Sequence, residues 1–367
     1  MWVGLAVIAC VCLASACGKS ASTQADEPAP NGDPNPVAAC SLPCRVVVSG
    51  LTRPTEMTAG GGYVYFVERG NRDDTYDGVV MRAPAQGGAA ETLTAAPGIL
   101  GLFMNRTSLF WTHLEPVATD YSYAIATVPN IGGTPADLLQ LPSGLGPVGA
   151  DEDAVYGVTH DELLAVSLAD RTKRTLAQVW AIASVSVTGS KLTMTNRGHA
   201  KPPESTLSDP AGKAPCLVDS VAKVGGTLET LYTAPTALVG ANCNPTRIVA
   251  FDGGVVWIGP GSNGATTSIW KLGAGAAAPT ELATDLANDH GQLIASDTAA
   301  YFSYRTPDNG SVFVRCSTTG AITTLWSGSI HTPVIAVDET SLYIMASERS
   351  DDGLRSHGAI LALPVQR

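Results

Sequence analysis

Five polar residues in loop-like stretches of the sequence are the best candidates for chemistry. They are His113, His160, Asp289, His290 and His331. Imidazole nitrogens bind divalent metals and transfer protons near neutral pH. If these side chains lay close together, they could hold a metal that activates water or polarises a carbonyl group. Polar residues also collect in loops because loops are solvated, so a surface without chemistry is the alternative.

No other motif in the sequence specifies a catalytic or cofactor-binding site. The stretch Asp73-x-Thr75-x-Asp77-Gly78 resembles part of a calcium loop, but it lacks the terminal glutamate of the EF-hand. Gly-x-Ser-x-Gly, His-Glu-x-x-His and the dinucleotide-binding pattern do not occur. We therefore predict no catalytic residue, no bound metal and no cofactor.

The cysteines indicate disulfide bonds rather than a metal site. Cys216 and Cys243 lie in loop-like sequence and could pair with each other. Cys40 and Cys44 could also pair, which would leave Cys316 as a buried apolar side chain. The connectivity of disulfides does not follow from sequence alone. A zinc site is disfavoured because no Cys-x-x-Cys pair is present.

The elements that must position these residues are short β-strands in a repeat. Two apolar runs flank a tight polar or glycine turn, which is typical of a β-hairpin. Two further short runs follow in most units, and Gly-Gly pairs at 87–88, 132–133 and 225–226 indicate turns with positive φ. Four strands in each unit of roughly 40–50 residues indicate small sheets stacked around an axis. The seven hairpin turns lie at residues 59–62, 105–108, 151–154, 188–191, 252–255, 297–300 and 338–341.

The two ends of the chain predict how the ring closes. The seventh unit ends after its third run, at residues 359–363, and has no fourth run. An extra run, Arg45-Val46-Val47-Val48, precedes the first unit. If this run supplies the missing strand, the ring closes with hydrogen bonds and no free edge remains.

The repeat resembles a known class of protein. It begins with a run such as Ile335-Ala336-Val337-Asp338 and continues with an aromatic run such as Leu109-Phe110-Trp111-Thr112. These features resemble the YWTD- and NHL-type propellers and their bacterial lipoprotein relatives. The resemblance implies an all-β, seven-bladed β-propeller over residues 45–367. We expect the aromatic residues of the second strands to pack between blades rather than to form a sugar-binding platform.

The propeller scheme also predicts where the candidate residues lie. Loops between second and third strands and links between blades lie on the same face, where such propellers usually bind ligands. His113 and His160 are assigned to the loops, and Asp289, His290 and His331 to the links. Links lie nearer the axis, so His290 and His331 are the better candidates for a site at the mouth of the channel.

The first 44 residues predict export and a membrane anchor. Residues 1–16 are uncharged and apolar, as in a secretory signal peptide. Residues 13–17 resemble a bacterial lipobox, which implies lipidation of Cys17. Residues 17–44 contain many Pro, Ala and Asp residues and are predicted to be a flexible tether. The alternative is cleavage near Ala16 that leaves a soluble protein.

The net charge of −11 limits which kinds of partner the protein can bind. An acidic surface repels phosphate backbones, so we predict no binding of nucleic acid. The sequence as a whole predicts a non-catalytic binding or scaffold protein of the bacterial cell envelope, held to the membrane by its lipid. Its ligand would be a protein, a peptide or a glycan. The alternative is a lyase or lactone hydrolase with a metal or histidine site at the channel mouth.

Overall fold

The computed structural model describes residues 44–69, 78–96, 98–117, 120–141, 146–159, 162–196, 217–234, 247–261, 267–286, 292–305, 311–328, 334–349 and 356–365. Every regular element in these ranges is a β-strand, as the predicted fold class requires. Over the same ranges, no helix could cross a membrane. The strands are β1 (Arg45–Leu51), β2 (Pro54–Gly60), β3 (Tyr63–Arg69), β4 (Gly78–Pro84), β5 (Glu91–Ala95), β6 (Ile99–Met104), β7 (Ser108–Val117), β8 (Asp120–Pro129), β9 (Ala136–Leu141), β10 (Gly146–Ala150), β11 (Ala154–Val158), β12 (Glu162–Ser167), β13 (Lys173–Gln178), β14 (Ser184–Thr188), β15 (Lys191–Asn196), β16 (Leu217–Ala222), β17 (Glu229–Thr233), β18 (Arg247–Phe251), β19 (Gly254–Pro260), β20 (Thr267–Gly273), β21 (Thr280–Leu286), β22 (Leu293–Ser296), β23 (Ala299–Arg305), β24 (Ser311–Ser317), β25 (Ile322–Gly328), β26 (Val334–Val337), β27 (Ser341–Arg349) and β28 (Ser356–Pro364).

The strands form seven four-stranded antiparallel sheets, which we call blades 1 to 7. Blades 1 to 6 each use four consecutive strands, from β2–β5 to β22–β25. The first strands of neighbouring blades contact one another around the whole ring, and β2 of blade 1 contacts β26 of blade 7. The chain is therefore a closed seven-bladed β-propeller, and its first strands surround a central channel.

Blade 7 is completed by the start of the propeller domain. β26, β27 and β28 come from the end of the chain, and β1 forms the fourth strand beside β28. Val46 pairs with Leu361 and Val48 with Ile360. This pairing confirms the closure that the orphan run at residues 45–48 predicted.

Each junction between neighbouring blades holds a cluster of buried apolar side chains. The second strands supply most of the largest of these, including Tyr65, Trp111 and Tyr343, which are at most 2% exposed. A blade is covered on both sides, so successive residues of these strands are buried and the run reads as continuously apolar. In β3, for example, Val64 to Val67 are all buried. The predicted packing of the second-strand aromatic residues between blades is confirmed.

The strand order gives the ring two different faces. Turns between first and second strands, and between third and fourth strands, lie on one face, which we call the turn face. Loops between second and third strands and the links between blades lie on the other, which we call the link face. These names are used below.

Asp151 and Asp338 organise equivalent hairpin turns on the turn face. Each carboxylate accepts hydrogen bonds from the backbone N–H groups two and three residues later. Each also accepts one from the tyrosine hydroxyl five residues later, at 2.8 Å from Tyr156 and 2.7 Å from Tyr343. Burial alone would raise the pKa of both carboxyls, but these bonds, and for Asp151 the Lys223 ammonium at 2.6 Å, hold the pKa below its ordinary value. Burial and the Asp338 carboxylate raise the pKa of Tyr343 to about 12.

The turns between third and fourth strands are closed by cations of the preceding blade. At four junctions an arginine or lysine donates to a backbone carbonyl of the next blade's turn, which ties neighbouring blades together at the outer rim. The donor and acceptor pairs are Arg45 and Ala85, Arg82 and Asn130, Arg174 and Lys223, and Lys271 and Thr318. The Gly-Gly pairs in three of these turns have positive φ, as predicted.

The cysteines agree with the sequence prediction as far as the structure describes them. Cys316 is a free thiol with no exposed surface, so its predicted role as a buried apolar side chain is confirmed. Cys44 is disulfide-bonded, and its partner lies outside the described residues. Cys216 and Cys243 also lie outside them, so their pairing stays a prediction.

Candidate functional site

The first strands of blades 1, 2 and 3 are irregular where they begin at the link face. The pairing register shifts at residues 54–57 in β2, 99–101 in β6 and 147–149 in β10. The first strands of the other four blades pair with their second strands without a shift. A bulge changes the direction of a side chain, and bulges are common beside functional sites. The link-face mouth of the channel is therefore the candidate site.

The bulge of β2 carries Glu56, which is attracted electrostatically to Arg247 at the start of β18. Glu56 belongs to blade 1 and Arg247 to blade 5, and these blades are not neighbours in the ring. The attraction between the two charges therefore acts across the central channel. Both side chains are partly buried, and neither forms a hydrogen bond to another described residue.

Burial affects the protonation of both groups in the direction expected for desolvated charges. It raises the pKa of Glu56 above the ordinary value, although the Arg69 and Arg247 guanidinium groups oppose the rise. It lowers the pKa of Arg247, while Glu56 opposes the change. Arginine remains protonated in proteins, so Arg247 carries a positive charge that is only partly solvated.

Arg69 adds a second guanidinium group at the same end of the channel. It is the last residue of β3, and its Nη2 donates to the carbonyl oxygen of Ile99 at 3.1 Å. This bond holds the guanidinium over the start of β6. The next residue, Leu100, lies within the bulge of β6 and is 44% exposed. Two cations, one carboxyl and an exposed apolar side chain thus lie at the link-face ends of β18, β3, β2 and β6.

Two further polar groups of blade 1 are buried near the link-face ends of its strands. Oε1 of Glu68 accepts hydrogen bonds from the backbone N–H groups of Thr52 and Arg53, at 2.8 and 2.6 Å. Its buried Oε2 has no hydrogen-bond partner among the described residues, and neither has the buried hydroxyl of Thr55. Burial raises the pKa of Glu68, although the two backbone bonds oppose the rise. β2 and β3 therefore each bury, near their link-face ends, an oxygen atom that bonds to no described residue.

The link between blades 3 and 4 is strained on the same face. Ala181 has φ 51°, a left-handed conformation that L-residues other than glycine rarely adopt. The preceding Trp180 is 6% exposed, and its buried indole N–H has no partner among the described residues. Backbone strain of this kind costs on the order of 1–3 kcal/mol and is concentrated at functional sites.

The strand that carries Arg247 is held firmly by its neighbour in blade 4. The Ser184 hydroxyl accepts a hydrogen bond from the backbone N–H of Ile248 at 3.1 Å. The Ser186 hydroxyl accepts one from the N–H of Ala250 at 3.0 Å. These bonds satisfy groups at the inner edge of β18, and they fix the strand from which Arg247 projects.

His113 is the one member of the predicted ligand face that the structure describes. It was assigned to a loop, but it lies within β7, because β7 and β8 continue as a long hairpin to Val117 and Asp120. Its Nε2 lies 3.8 Å from Oδ1 of Asp137 in β9, the outermost strand of the same blade. His113 is therefore directed toward the rim of blade 2.

The rest of the predicted set cannot be compared with the structure. His160, Asp289, His290 and His331 lie outside the described residues, so their meeting at the channel mouth stays a prediction. Within the described ranges, no group of three His, Cys, Asp or Glu side chains is arranged to hold a metal ion.

Sequence reasoning did not select Glu56 or Arg247. One signal was present: Glu56 and Arg247 are charged residues inside first-strand runs that otherwise carry small or apolar side chains. Their opposition across the channel depends on the number of blades and on the bulge in β2. The bulge in β2 contains no glycine, so neither it nor the direction of the Glu56 side chain follows from the residue pattern.

Comparison with known proteins identifies the fold but no family. No known family profile matches the chain, and no curated protein matches it in sequence. Among solved structures, it is similar to the β-propeller domain of the trilobed protease from Pyrococcus furiosus, with a TM-score of 0.59 and 10% identity. That match covers 83% of this chain and 94% of that one.

Two longer proteins also contain a similar domain. An acylaminoacyl peptidase, solved with Z-Gly-Gly-Phe-chloromethyl ketone, gives a TM-score of 0.55 at 8% identity, over 87% of this chain and 52% of that one. The tricorn protease gives 0.52 at 8% identity, over 88% and 34%. At these identities the likeness concerns the fold alone. The Pyrococcus domain is described as having an open velcro topology, whereas β1 closes blade 7 here.

Proposed function

We propose that this propeller is a non-catalytic binding protein that recognises a protein, peptide or glycan at the link-face mouth of its channel. The observation that carries the proposal is the opposition of Glu56 and Arg247 across the channel without hydrogen bonds to described residues. An ionised group that is partly buried without a partner loses solvation and gains little in return. A ligand that bonded to both groups would recover that lost free energy.

The position and composition of the mouth support binding rather than a purely structural role for these charges. Loops and links on a rigid sheet scaffold are a common place for recognition surfaces. Leu100 supplies exposed apolar area beside the charged groups. An apolar contact surrounded by a few fixed polar groups is the usual composition of a binding site.

Removing both charges tests the proposal. Peptide and glycan arrays would be probed with the full chain and with the double variant Glu56→Gln/Arg247→Gln, which removes both charges but keeps similar side-chain volumes. We expect the array signals to fall at least tenfold in the double variant. The matched control is Glu152→Gln/Arg106→Gln, which removes one exposed carboxylate and one exposed guanidinium from the turn face. Equal signals from the two double variants would refute the site.

We also propose that the chain is exported and held in the bacterial cell envelope by a lipid on Cys17. The proposal is supported by the lipobox-like residues 13–17, and a disulfide at Cys44 is compatible with an oxidising compartment outside the cytoplasm. The variant Cys17→Ser is expected to move the protein from the membrane fraction to the soluble fraction. Unchanged membrane association would contradict the anchor.

A further inference from the structure

Four cations that join neighbouring blades on the turn face donate to the same position of the repeat. Each binds the carbonyl oxygen of the first residue after the third strand of the next blade. The four acceptors are Ala85, Asn130, Lys223 and Thr318. In blade 7 the same position is held by Val365, since β28 ends at Pro364. The pattern therefore predicts a cation of blade 6 that donates to blade 7 near Val365.

Arg315 is that cation. It occupies in blade 6 the place that Arg82 occupies in blade 1, because Arg82 is paired with Tyr65 and Arg315 with Tyr301. Paired residues project from the same face of a sheet, and both tyrosines are buried against the next blade, so Arg315 faces blade 7. Arg82 donates to the Asn130 carbonyl at 2.9 Å, but Arg315 forms no hydrogen bond to a described residue. Its buried Nε and the buried Tyr301 hydroxyl are both unpartnered within the described ranges.

Blade 7 offers Arg315 no turn to bind, because its third and fourth strands come from opposite ends of the domain. In three other blades a Gly-Gly pair with positive φ shapes the turn that presents the acceptor. β1 begins at the turn face, where Arg45 pairs with Ala362. The residues that precede Arg45 are therefore attached at the point where the other blades have their turn.

Cys44, the residue before Arg45, connects this part of the chain to the same junction. Its side chain packs against the buried cluster of blades 6 and 7 that includes Tyr301 and Leu363. Cys44 is disulfide-bonded, and the free thiol of Cys316 is not its partner. A disulfide therefore forms at the entry to β1, beside the face of blade 6 from which Arg315 projects.

The topology excludes two of the remaining cysteines as partners of Cys44. A disulfide requires Cα atoms within about 7 Å of each other. Cys216 precedes β16 at the link face of blade 4. Cys243 lies four residues before Arg247 at the link face of blade 5, which keeps it within about 14 Å of Arg247. β1 alone spans about 20 Å from the turn face to the link face, and neither blade is a neighbour of blade 7.

Cys40 is the cysteine that remains. In the exported chain proposed above, Cys10 and Cys12 are removed with the signal peptide and Cys17 carries the lipid. Cys40 stands four residues before Cys44, so a bond between them closes a short loop. We call residues 40–44 the latch loop.

We propose that a Cys40–Cys44 disulfide closes the latch loop, and that this loop takes the place of the missing turn and accepts a hydrogen bond from Arg315. As the bond forms, the two thiols give up two protons and two electrons to a disulfide-carrying oxidoreductase of the envelope, which becomes a dithiol. The inference rests on the proposed export, which supplies the oxidising compartment. β1 is the strand at which the predicted tether joins the domain, so the latch loop keeps the ring closed where the tether is attached.

Peptide mapping without reduction tests the disulfide. Trypsin cuts the exported Cys17→Ser chain after Lys19 and Arg45, so one peptide, residues 20–45, contains both cysteines of the latch loop. We expect this peptide to be recovered alone, lighter by two hydrogen atoms than its dithiol form. A cross-link from this peptide to any other cysteine would overturn the assignment.

Hydrogen exchange at β1 tests the latch. Cys40→Ser/Cys44→Ser should speed exchange of the β1 amides at least tenfold, since the closed loop restricts opening of the strand. Arg315→Gln should speed it about threefold to tenfold, because a hydrogen bond from a charged donor is lost. In the Cys40→Ser/Cys44→Ser chain, Arg315→Gln should have no further effect. The matched control is Lys271→Gln, which removes the equivalent cation of blade 5 and should leave β1 exchange unchanged.

The possible outcomes separate this inference from the export on which it rests. Free thiols at both positions of the latch loop in protein recovered from the envelope would overturn the inference but leave export in place. Free thiols in protein retained in the cytoplasm would overturn both. A Cys40–Cys44 bond with β1 exchange unchanged in both variants would show a disulfide that latches nothing, and would also overturn the inference. An effect of Arg315→Gln that is as large without the disulfide as with it would exclude the contact between Arg315 and the loop.

Discussion

The carboxylates of two turn-face hairpins and the charges of Glu56 and Arg247 on the link face differ in how many hydrogen bonds they make. On the turn face, the Asp151 and Asp338 carboxylates each accept several hydrogen bonds, and Lys223 pairs with Asp151. On the link face, Glu56 and Arg247 attract each other across the channel but bond to no described residue. The same strands connect both faces, so the difference lies in the turns, links and bulges at their ends.

This difference separates groups that stabilise the fold from groups that do not. A charged acceptor with several N–H and O–H donors contributes to stability, because breaking such bonds leaves buried donors unpaired. A desolvated charge without bonds lowers stability. Polar groups of the second kind, together with the strained Ala181 on the same face, are expected where a ligand completes the site.

The largest effect is expected from removing a carboxylate of the turn face. Asp151→Ala should lower the free energy of unfolding by about 3 kcal/mol, since bonds to an ionised acceptor are worth about 1.5–3 kcal/mol and three N–H or O–H donors and Lys223 lose their partner. Urea denaturation would measure it. Asp170→Ala removes an exposed carboxylate that bonds within its own turn and should have a far smaller effect. Equal effects of the two substitutions would contradict the structural role of Asp151.

The two faces should also respond to acid with opposite signs. The pKa of Asp338 is lowered in the folded protein, so its contribution to stability is present above the unfolded pKa of about 3.9 and is lost as pH falls through the folded value. The pKa values of Glu56 and Glu68 are raised. In the window between the unfolded pKa, about 4.3, and the higher folded value, the folded state binds more protons, and stability falls as pH rises.

Stability measured against pH in two variants would resolve these contributions. Asp338→Asn should flatten the loss of stability below about pH 4. Glu56→Gln should remove part of the decrease seen as pH rises above that range. If Glu56→Gln changed the dependence of stability on pH in the same direction as Asp338→Asn, the predicted difference between the two faces would be wrong.

A smaller effect is expected from relieving backbone strain on the link face. Ala181→Gly should stabilise the protein by up to about 1 kcal/mol, because glycine adopts a positive φ without the steric cost of Cβ. The matched site on the turn face is Arg171, with φ 61°. Arg171→Gly relieves similar strain but also loses the guanidinium bond to the Asp137 carbonyl, so its gain should be smaller. Thermal unfolding would compare them, and destabilisation by Ala181→Gly would show that the link is not strained.

The architecture could be predicted from sequence because it repeats. Seven hairpins with similar turns, the glycine pairs and the extra run at residues 45–48 each depend on local patterns that recur along the chain. The closure of blade 7 followed from counting runs at the two ends. The turn face was equally accessible, since Asp151 and Asp338 occupy the same position in their repeats.

The mouth could not be predicted because it departs from the repeat. Glu56 meets Arg247 only after the ring has closed, and the two residues are far apart in sequence. The bulges in β6 and β10 each end at a glycine within the strand, Gly101 and Gly149, which the regular first strands lack, but the bulge in β2 has no such glycine. Histidines were chosen for their chemistry, yet His113 lies in β7 near Asp137. Residue type alone therefore directed attention to the link face but not to Glu56 or Arg247.

The substitution with the smallest expected effect on stability distinguishes most directly between a role in binding and a role in folding. Leu100→Ser should change the free energy of unfolding by less than about 0.5 kcal/mol, as is usual for exposed positions. The same substitution should reduce the peptide- and glycan-array signals roughly threefold to tenfold, since it removes apolar area that the ligand would cover. The control is Ile131→Ser on the turn face, where the side chain is 78% exposed; it should change neither quantity. If both substitutions left the array signals unchanged, the apolar part of the mouth would have no role in recognition, and the contrast between the faces would rest on the charges of Glu56 and Arg247 alone.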